Sequence, residues 1–378
     1  MFVAPRYGTG SLADLLPSLL ACLGVPGETD RLGLGLTARR ICVLLVDGLG
    51  ADALAAHPAA APFLSGLAPA TMTAGFPSTT ATSLASFGVG VPPGAHGIVG
   101  YLFRVPGHDK PLAPLAWRLH GDGTDQRARL VPEQFQPTPT VFERAAADGV
   151  AVTQVAPRGQ ADSGLTRAVL RGCVFRAKVS DGDLIAQVAT AIRDGDRALV
   201  YAYHPDLDTT GHMRGPDSPA WRHELTHVDR LAADIAENLP PDAILVVTAD
   251  HGMVALTDRV DFDTTVALRD GVAQLGGEAR ARHVYTRDGA AADVADTWRA
   301  TLGADFEVLT RDAAIARGWF GPAVATHVAD RIGDLVVVAH GSRGVVRTGV
   351  EPLQSALAAH HGSLTAAEMN VPLRTFRA

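Results

Sequence analysis

Ile41-Cys42-Val43-Leu44-Leu45-Val46, followed at once by Asp47-Gly48-Leu49-Gly50, is the stretch from which the fold can be read. Six apolar residues without polar alternation predict a strand buried on both faces, as in parallel sheets covered by helices. Val150 to Val155, Ala198 to Tyr203, Ala243 to Thr248 and Leu335 to Ala339 repeat the pattern. Helical periodicity lies between them at Thr140 to Ala147, Asp183 to Arg193 and Pro219 to Leu239. Strands alternating with helices predict an α/β sandwich with a mostly parallel central sheet flanked by helices. From about Val254 to Gly344 the chain is richer in Asp and Arg and its apolar runs are shorter. This stretch is read as a smaller α+β lobe, 254–344, inserted into a main domain formed by 1–253 and 345–378.

The polar residues of interest follow those strands. Asp47 ends the first run, Asp250-His251-Gly252 follows Ala243 to Thr248, and Asp208-Thr209-Thr210-Gly211-His212 follows Ala198 to Tyr203. His361-Gly362 adds an imidazole near the end of the chain. In open α/β sheets, ligands bind in the crevice beyond the carboxyl ends of the strands. Taken singly, an Asp after a strand is an ordinary helix cap or turn residue. Together, Asp and His without Cys are the ligand set of a hydrolytic zinc or related divalent site. The neighbouring glycines permit the close backbone approach that such a site needs.

A hydroxyl-rich segment, Phe76-Pro77-Ser78-Thr79-Thr80-Ala81-Thr82-Ser83, leads into a helix. Ser78 or Thr79 can cap it, and a hydroxyl in its first turn meets the positive end of the helix dipole. Read by itself, the segment is a helix cap with no chemistry.

Composition narrows the partners. The chain has 378 residues, 47% hydrophobic and 19% charged, enough for one large domain and a smaller lobe. A formal net charge of −7 argues against a nucleic-acid polymer as partner, which requires a positive footprint. Any phosphate must then be attracted locally, by bound cations. No run approaches the roughly 20 apolar residues needed to cross a bilayer, so no membrane partner is expected. Cys22, Cys42 and Cys173 are widely separated, show no CxxC spacing, and read as small buried hydrophobes of a reducing, cytoplasmic compartment.

Rival motifs are present. His223-Glu224-Leu225-Thr226-His227 fits H-E-x-x-H, the zinc metalloprotease signature, in a helical stretch. No third ligand follows at the expected spacing, and Leu225, Val228, Leu231 and Ile235 form an ordinary amphipathic stripe that leaves His223 and Glu224 on or near solvent. Gly33-Leu34-Gly35 precedes its strand, whereas a dinucleotide fingerprint follows one. No cysteine fits the C/S-x-P-x-R pattern of a sulfatase. A metal-binding protein without turnover is the non-enzymatic alternative.

The five separated segments together, Asp47, Phe76 to Tyr101, Asp208-x-x-x-His212, Asp250-His251 and His361-Gly362, resemble the alkaline phosphatase superfamily, closest to its nucleotide pyrophosphatase/phosphodiesterase branch. The resemblance covers most of the chain. It implies two divalent metal ions, zinc being the expected one: Asp208, His212 and His361 hold the first, and Asp47, Asp250 and His251 hold the second. Counting back from Gly90, where the family motif ends, it implies Thr80 as nucleophile, with Thr79 the adjacent alternative. The implied activity is hydrolysis of a small phosphate ester, a phosphodiester or nucleotide pyrophosphate, through a phospho-threonine. Phosphomonoesters and phosphonates are the alternatives on the same site. This sequence departs from the family at Val89, where Thr is common, and at Tyr101, where the branch places an Asn that binds a phosphate oxygen. A phenol donates one hydrogen bond with a different reach, so Tyr101 is the candidate phosphate contact. The groups deciding substrate class are expected in the 254–344 lobe and in the loop from Leu102 to Gln136.

Overall fold

The computed structural model describes residues 2–378. Its two larger sheets use, in chain order, β1 (Arg40–Val46), β2 (Ala70–Thr73), β3 (Ala151–Pro157), β4 (Val174–Lys178), β5 (Ala198–His204), β6 (Ala243–Thr248), β7 (Val272–Glu278), β8 (Ala281–Thr286), β9 (Phe306–Thr310), β10 (Leu335–Ala339) and β11 (Asn370–Arg377). The main sheet runs β2-β11-β6-β1-β5-β3-β4. Its five strands from β6 to β4 are parallel, β11 runs antiparallel beside β6, and β2 pairs antiparallel with β11 at the edge. Every residue of β5 and β6 is buried, as the unbroken apolar runs require of strands covered on both faces. Helices Thr80–Val89, Val141–Ala147, Asp181–Ala191 and Pro219–Glu237 pack with this sheet into one large apolar core.

Register places the chemistry. Val46 lies beside His204, and Leu45 lies beside Thr248, so β1, β5 and β6 end in line. Asp47, the Asp206–Arg214 helix and Asp250 therefore leave the sheet along one edge.

The second sheet, β7-β8-β10-β9, is antiparallel throughout. The helix Ala291–Leu302 lays Val294, Trp298 and Leu302 on it, giving this sheet a core of its own. Leu335 to Ala339, expected in the main sheet, instead forms β10, one of the two inner strands of this second sheet. Leu335, Val337 and Ala339 face the second core, while Val336 and Val338 join the large one. Burial on both faces was readable from the run, but the sheet it served was not. Asp258–Asp261 and Arg343–Val346 pair in parallel where the chain enters and leaves this region. Among the described residues no helix is long and apolar enough to cross a membrane. The three cysteines are free; Cys22 and Cys42 are buried, and Cys173 is only partly so.

Candidate active site

Asp208 and His212 sit one turn apart on the Asp206–Arg214 helix, so their side chains meet on one face, His212 Nε2 lying 3.4 Å from Asp208 Oδ2. The His361 ring lies 5.1 Å from that of His212 and stacks at 3.7 Å on that of His251. Asp47, Asp250 and His251 meet on the other side of this stack, His251 Nε2 standing 3.5 Å from Asp47 Oδ1 and 3.5 Å from Asp250 Oδ2. Two triads thus form, Asp208/His212/His361 and Asp47/Asp250/His251, each with ligand atoms within 4.8 Å of one another. All six expected ligand residues come together, drawn from positions 47 to 361.

Glycine makes the crowding feasible. At Gly48 (φ +75°) a Cβ would stand 2.9 Å from Asp208 Cβ, so a side chain there would push the two triads apart. At Gly252 a Cβ would strike the Ala367 carbonyl oxygen at 2.0 Å.

The hydrogen bonds around the triads leave one oxygen of each carboxylate unpartnered and turn one nitrogen of each imidazole toward the site, His251 Nε2 there meeting only the Thr80 hydroxyl. His212 Nδ1 donates to Ala359 O at 2.7 Å, His251 Nδ1 to Gly252 O at 3.0 Å, and His361 Nδ1 to Ser78 O at 2.9 Å. Each ring is thereby held with its Nε2 lone pair toward the site, as metal-binding imidazoles are. Burial drives all three imidazoles toward the neutral form, His212 and His251 down to about 4. Asp47 Oδ1, Asp208 Oδ1 and Asp250 Oδ2 are buried and accept no hydrogen bond. Burial pushes all three carboxyls well up; the proximity of Asp250 adds to this for Asp47, that of Asp47 for Asp208, and that of Asp208 for Asp250. Three buried carboxylates that lift one another, next to three neutral imidazoles, fit divalent cations.

Thr80 opens the helix Thr80–Val89 with Thr79 as its N-cap. Thr80 Oγ1 lies 3.1 Å from His251 Nε2, and Thr80 lines one cleft with Asp208, His212 and His361, whereas Thr79 Oγ1 is buried with no hydrogen-bond partner. The segment is pinned to the His361 loop: Ser78 Oγ donates to Ser363 O at 2.6 Å and accepts from Gly362 N at 3.2 Å. Tyr101 lines the same cleft as Thr79, Thr80 and the first triad.

Several residues here gave no signal in the sequence. Tyr203, the penultimate residue of β5, donates its hydroxyl to Asp47 Oδ2. Glu278 and Arg282 enter the cleft from the β7–β8 hairpin, and His360 lines it beside His361. The one available hint is that His360 immediately precedes His361.

His223 and His227 of the H-E-x-x-H motif are exposed, and Glu224, expected near solvent, turns inward to His204 Nε2 at 3.2 Å. His204 is fully buried and faces Asp181 through its other nitrogen at 3.4 Å. Burial would depress this imidazole, but the bonds to Asp181 and Glu224 outweigh it and raise it to about 9. Asp181, His204 and Asp206 also lie within ligand reach of one another. Lys178 Nζ, however, already bonds Asp181 at 2.8 Å, so this cluster is an internally neutralised ion network.

Fold and site together define an α/β protein of the alkaline phosphatase type with a candidate centre for two cations. The chain belongs to the type I phosphodiesterase/nucleotide pyrophosphatase family, whose model matches residues 41–364. Among solved structures, murine ectonucleotide pyrophosphatase/phosphodiesterase 5 is similar at a TM-score of 0.70 and 19% identity, over 88% of this chain and 87% of that one. Phosphonoacetate hydrolase from Sinorhizobium meliloti 1021 is similar at 0.67 and 21%, over 89% and 90%. Among curated relatives, a phosphopentomutase from Chromohalobacter salexigens is 35% identical over 119 residues, 31% of this chain and 27% of that protein. Human ectonucleotide pyrophosphatase/phosphodiesterase family member 7 is 41% identical over 69 residues, 17% of this chain and 15% of its own. The match thus spans about a quarter or less of the length of these two curated relatives.

Proposed function

We propose that this chain hydrolyses the phosphodiester or pyrophosphate bond of small phosphate esters, with Thr80 as nucleophile and two divalent cations, zinc by preference, at the two triads. The observation that carries this reading is the convergence of three orphaned carboxylate oxygens and three oriented imidazoles into two adjoining triads, with the Thr80 hydroxyl against His251 Nε2. Family membership supports phosphoester chemistry, and a murine neighbour was solved in complex with AMP.

Asp208, His212 and His361 would hold one cation and Asp47, Asp250 and His251 the other. When bound, these cations supply Lewis-acid charge for the phosphate and lower the pKa of the hydroxyl beside them. The protein's own part is positioning. Thr80 sits at a helix N-terminus, where backbone N–H groups favour the negative charge that develops on Oγ1. Thr80 Oγ1 attacks phosphorus, the bond to the leaving oxygen breaks, and a phospho-threonine forms. Water then cleaves that intermediate and restores the hydroxyl. Tyr101 donates a hydrogen bond from its phenol to a non-bridging phosphate oxygen. The 254–344 region serves as the substrate-selecting lobe, since its hairpin reaches the cleft. Three free thiols support a reducing, cytoplasmic setting.

The test compares bis(p-nitrophenyl) phosphate with p-nitrophenyl phosphate on the zinc-loaded protein, with and without a chelator. Diester turnover should dominate, vanish with chelator, and fall by about a thousandfold or more in Thr80→Ala, with Thr79→Ala far milder. Full turnover in Thr80→Ala, or indifference to the chelator, would overturn the reading.

A further inference from the structure

Beyond Thr80 the lining of the cleft includes the apolar Leu115 and Leu357 and a charged wall of Glu278, Arg282 and Glu351, with Tyr101 near the charged groups. The charges on that wall do not balance. Arg282 is committed, donating from Nη2 to Glu351 Oε2 at 3.1 Å and from Nε to Val345 O at 2.9 Å. Two carboxylates thus share one guanidinium, and Glu278 is the one left over.

Glu278 is nine-tenths buried, and its Oε1 has no hydrogen-bond partner. Its Oε2 is 3.5 Å from His361 Nδ1, a distance that suggests a carboxylate orienting a ligand imidazole. That role is already filled: the single Nδ1 proton goes to Ser78 O at 2.9 Å. The carboxylate is also firmly placed. It ends β7 at a hairpin whose Gly277 N donates to Leu102 O, and it packs on Gly362, where a Cβ would stand 2.8 Å from Glu278 Cγ. A fixed, buried acceptor facing a cleft, its Oε1 without a hydrogen-bond partner although the Thr79 hydroxyl stands beside the carboxyl, leaves a place for a donor on the ligand.

We propose that Glu278 is the specificity residue of this cleft, accepting a hydrogen bond from an ammonium group on the carbon side of the phosphate ester and discriminating against a carboxylate or further phosphate there. This assignment rests on the phosphoesterase reading and narrows it to esters of amino alcohols. The apolar side chains of Leu115 and Leu357 accommodate the carbon linker. A second anion in this cleft would face Glu278 with no free cation of the wall to answer it.

The experiment measures competitive inhibition of bis(p-nitrophenyl) phosphate hydrolysis by the zinc-loaded protein. The inhibitors are inorganic phosphate, ethyl phosphate, 2-aminoethyl phosphate and carboxymethyl phosphate, which share a phosphate and differ in the charge of the substituent. The aminoethyl ester should bind about tenfold more tightly than the ethyl ester, and the carboxymethyl ester about tenfold more weakly. Glu278→Gln should bring all three esters within about threefold of one another, and Glu278→Asp should keep the order with a smaller spread. A flat series in the wild type, or an unchanged series in Glu278→Gln, overturns the assignment while leaving the phosphoesterase reading intact. Absence of diester hydrolysis, or of inhibition by inorganic phosphate, overturns that reading and this assignment with it.

Discussion

Arg280→Met should destabilise the protein and loosen both triads at once, because one buried ion pair anchors the two histidine loops. Arg280 and Glu368 are both fully buried, joined by Nε to Oε1 at 3.0 Å and Nη2 to Oε2 at 2.8 Å. Glu368 Oε1 also accepts from Ser363 N at 3.0 Å, two residues after His361, and its backbone oxygen accepts from Gly252 N at 2.9 Å, next to His251. Removing the guanidinium leaves a buried carboxylate without its counter-charge, which costs about 3–5 kcal/mol. For a chain of 378 residues this corresponds to a Tm lower by about 5 °C. Because outer partners orient the ligands, zinc affinity should also fall by about 10- to 100-fold. Urea unfolding followed by tryptophan fluorescence reads the first effect, and competition against a zinc-chelating dye reads the second. Arg280→Met/Glu368→Leu should recover part of the stability, since no uncompensated charge remains, but none of the zinc affinity. A loss below about 1 kcal/mol in Arg280→Met, or lost stability with unchanged zinc affinity, would refute the reasoning.

Three further outcomes follow from the same geometry. Tyr203→Phe removes only the hydroxyl that bonds Asp47, so zinc affinity at that triad should drop about tenfold with unfolding changed by no more than about 1.5 kcal/mol; unaltered affinity counts against a positioning role. Gly48→Ala places a Cβ 2.9 Å from Asp208 Cβ at a positive φ, so it should cost about 1–3 kcal/mol and impair zinc binding, read by the same two assays. His204, raised from 6.5 to about 9 in the fold, contributes stability that is whole below its unfolded pKa and is lost as pH climbs through about 9. The stability gap between wild type and His204→Gln should therefore be widest, roughly 3 kcal/mol, near pH 6 and close toward pH 10; a gap independent of pH contradicts the clamped imidazolium.

The legible parts of this protein are those where one physical demand dominates the local sequence. β1, β5 and β6 must be apolar on both faces, and so they read as unbroken runs. Asp47, Asp208 and Asp250 were noticeable because each follows such a run, and register then lines them up. Other parts depend on partners far away in sequence. β11 carries Pro372, Arg374 and Arg377 and is a strand because β6 and β2 pair with it. Leu335 to Ala339 reads like a main-sheet strand because two different cores cover its faces. Glu278 sits at a hairpin tip of a separate sheet, with no periodicity or motif to mark it. Glu224 lies on the polar side of an amphipathic helix, and only the fold shows that His204 draws it inward.

The central claim is most directly tested by counting ions. After loading with zinc and removal of excess, elemental analysis should find two ions per chain in the wild type, matching the two triads, and one in His361→Ala and in Asp208→Asn. Wild-type protein retaining no zinc, or a second ion persisting when either residue is replaced, would contradict the account.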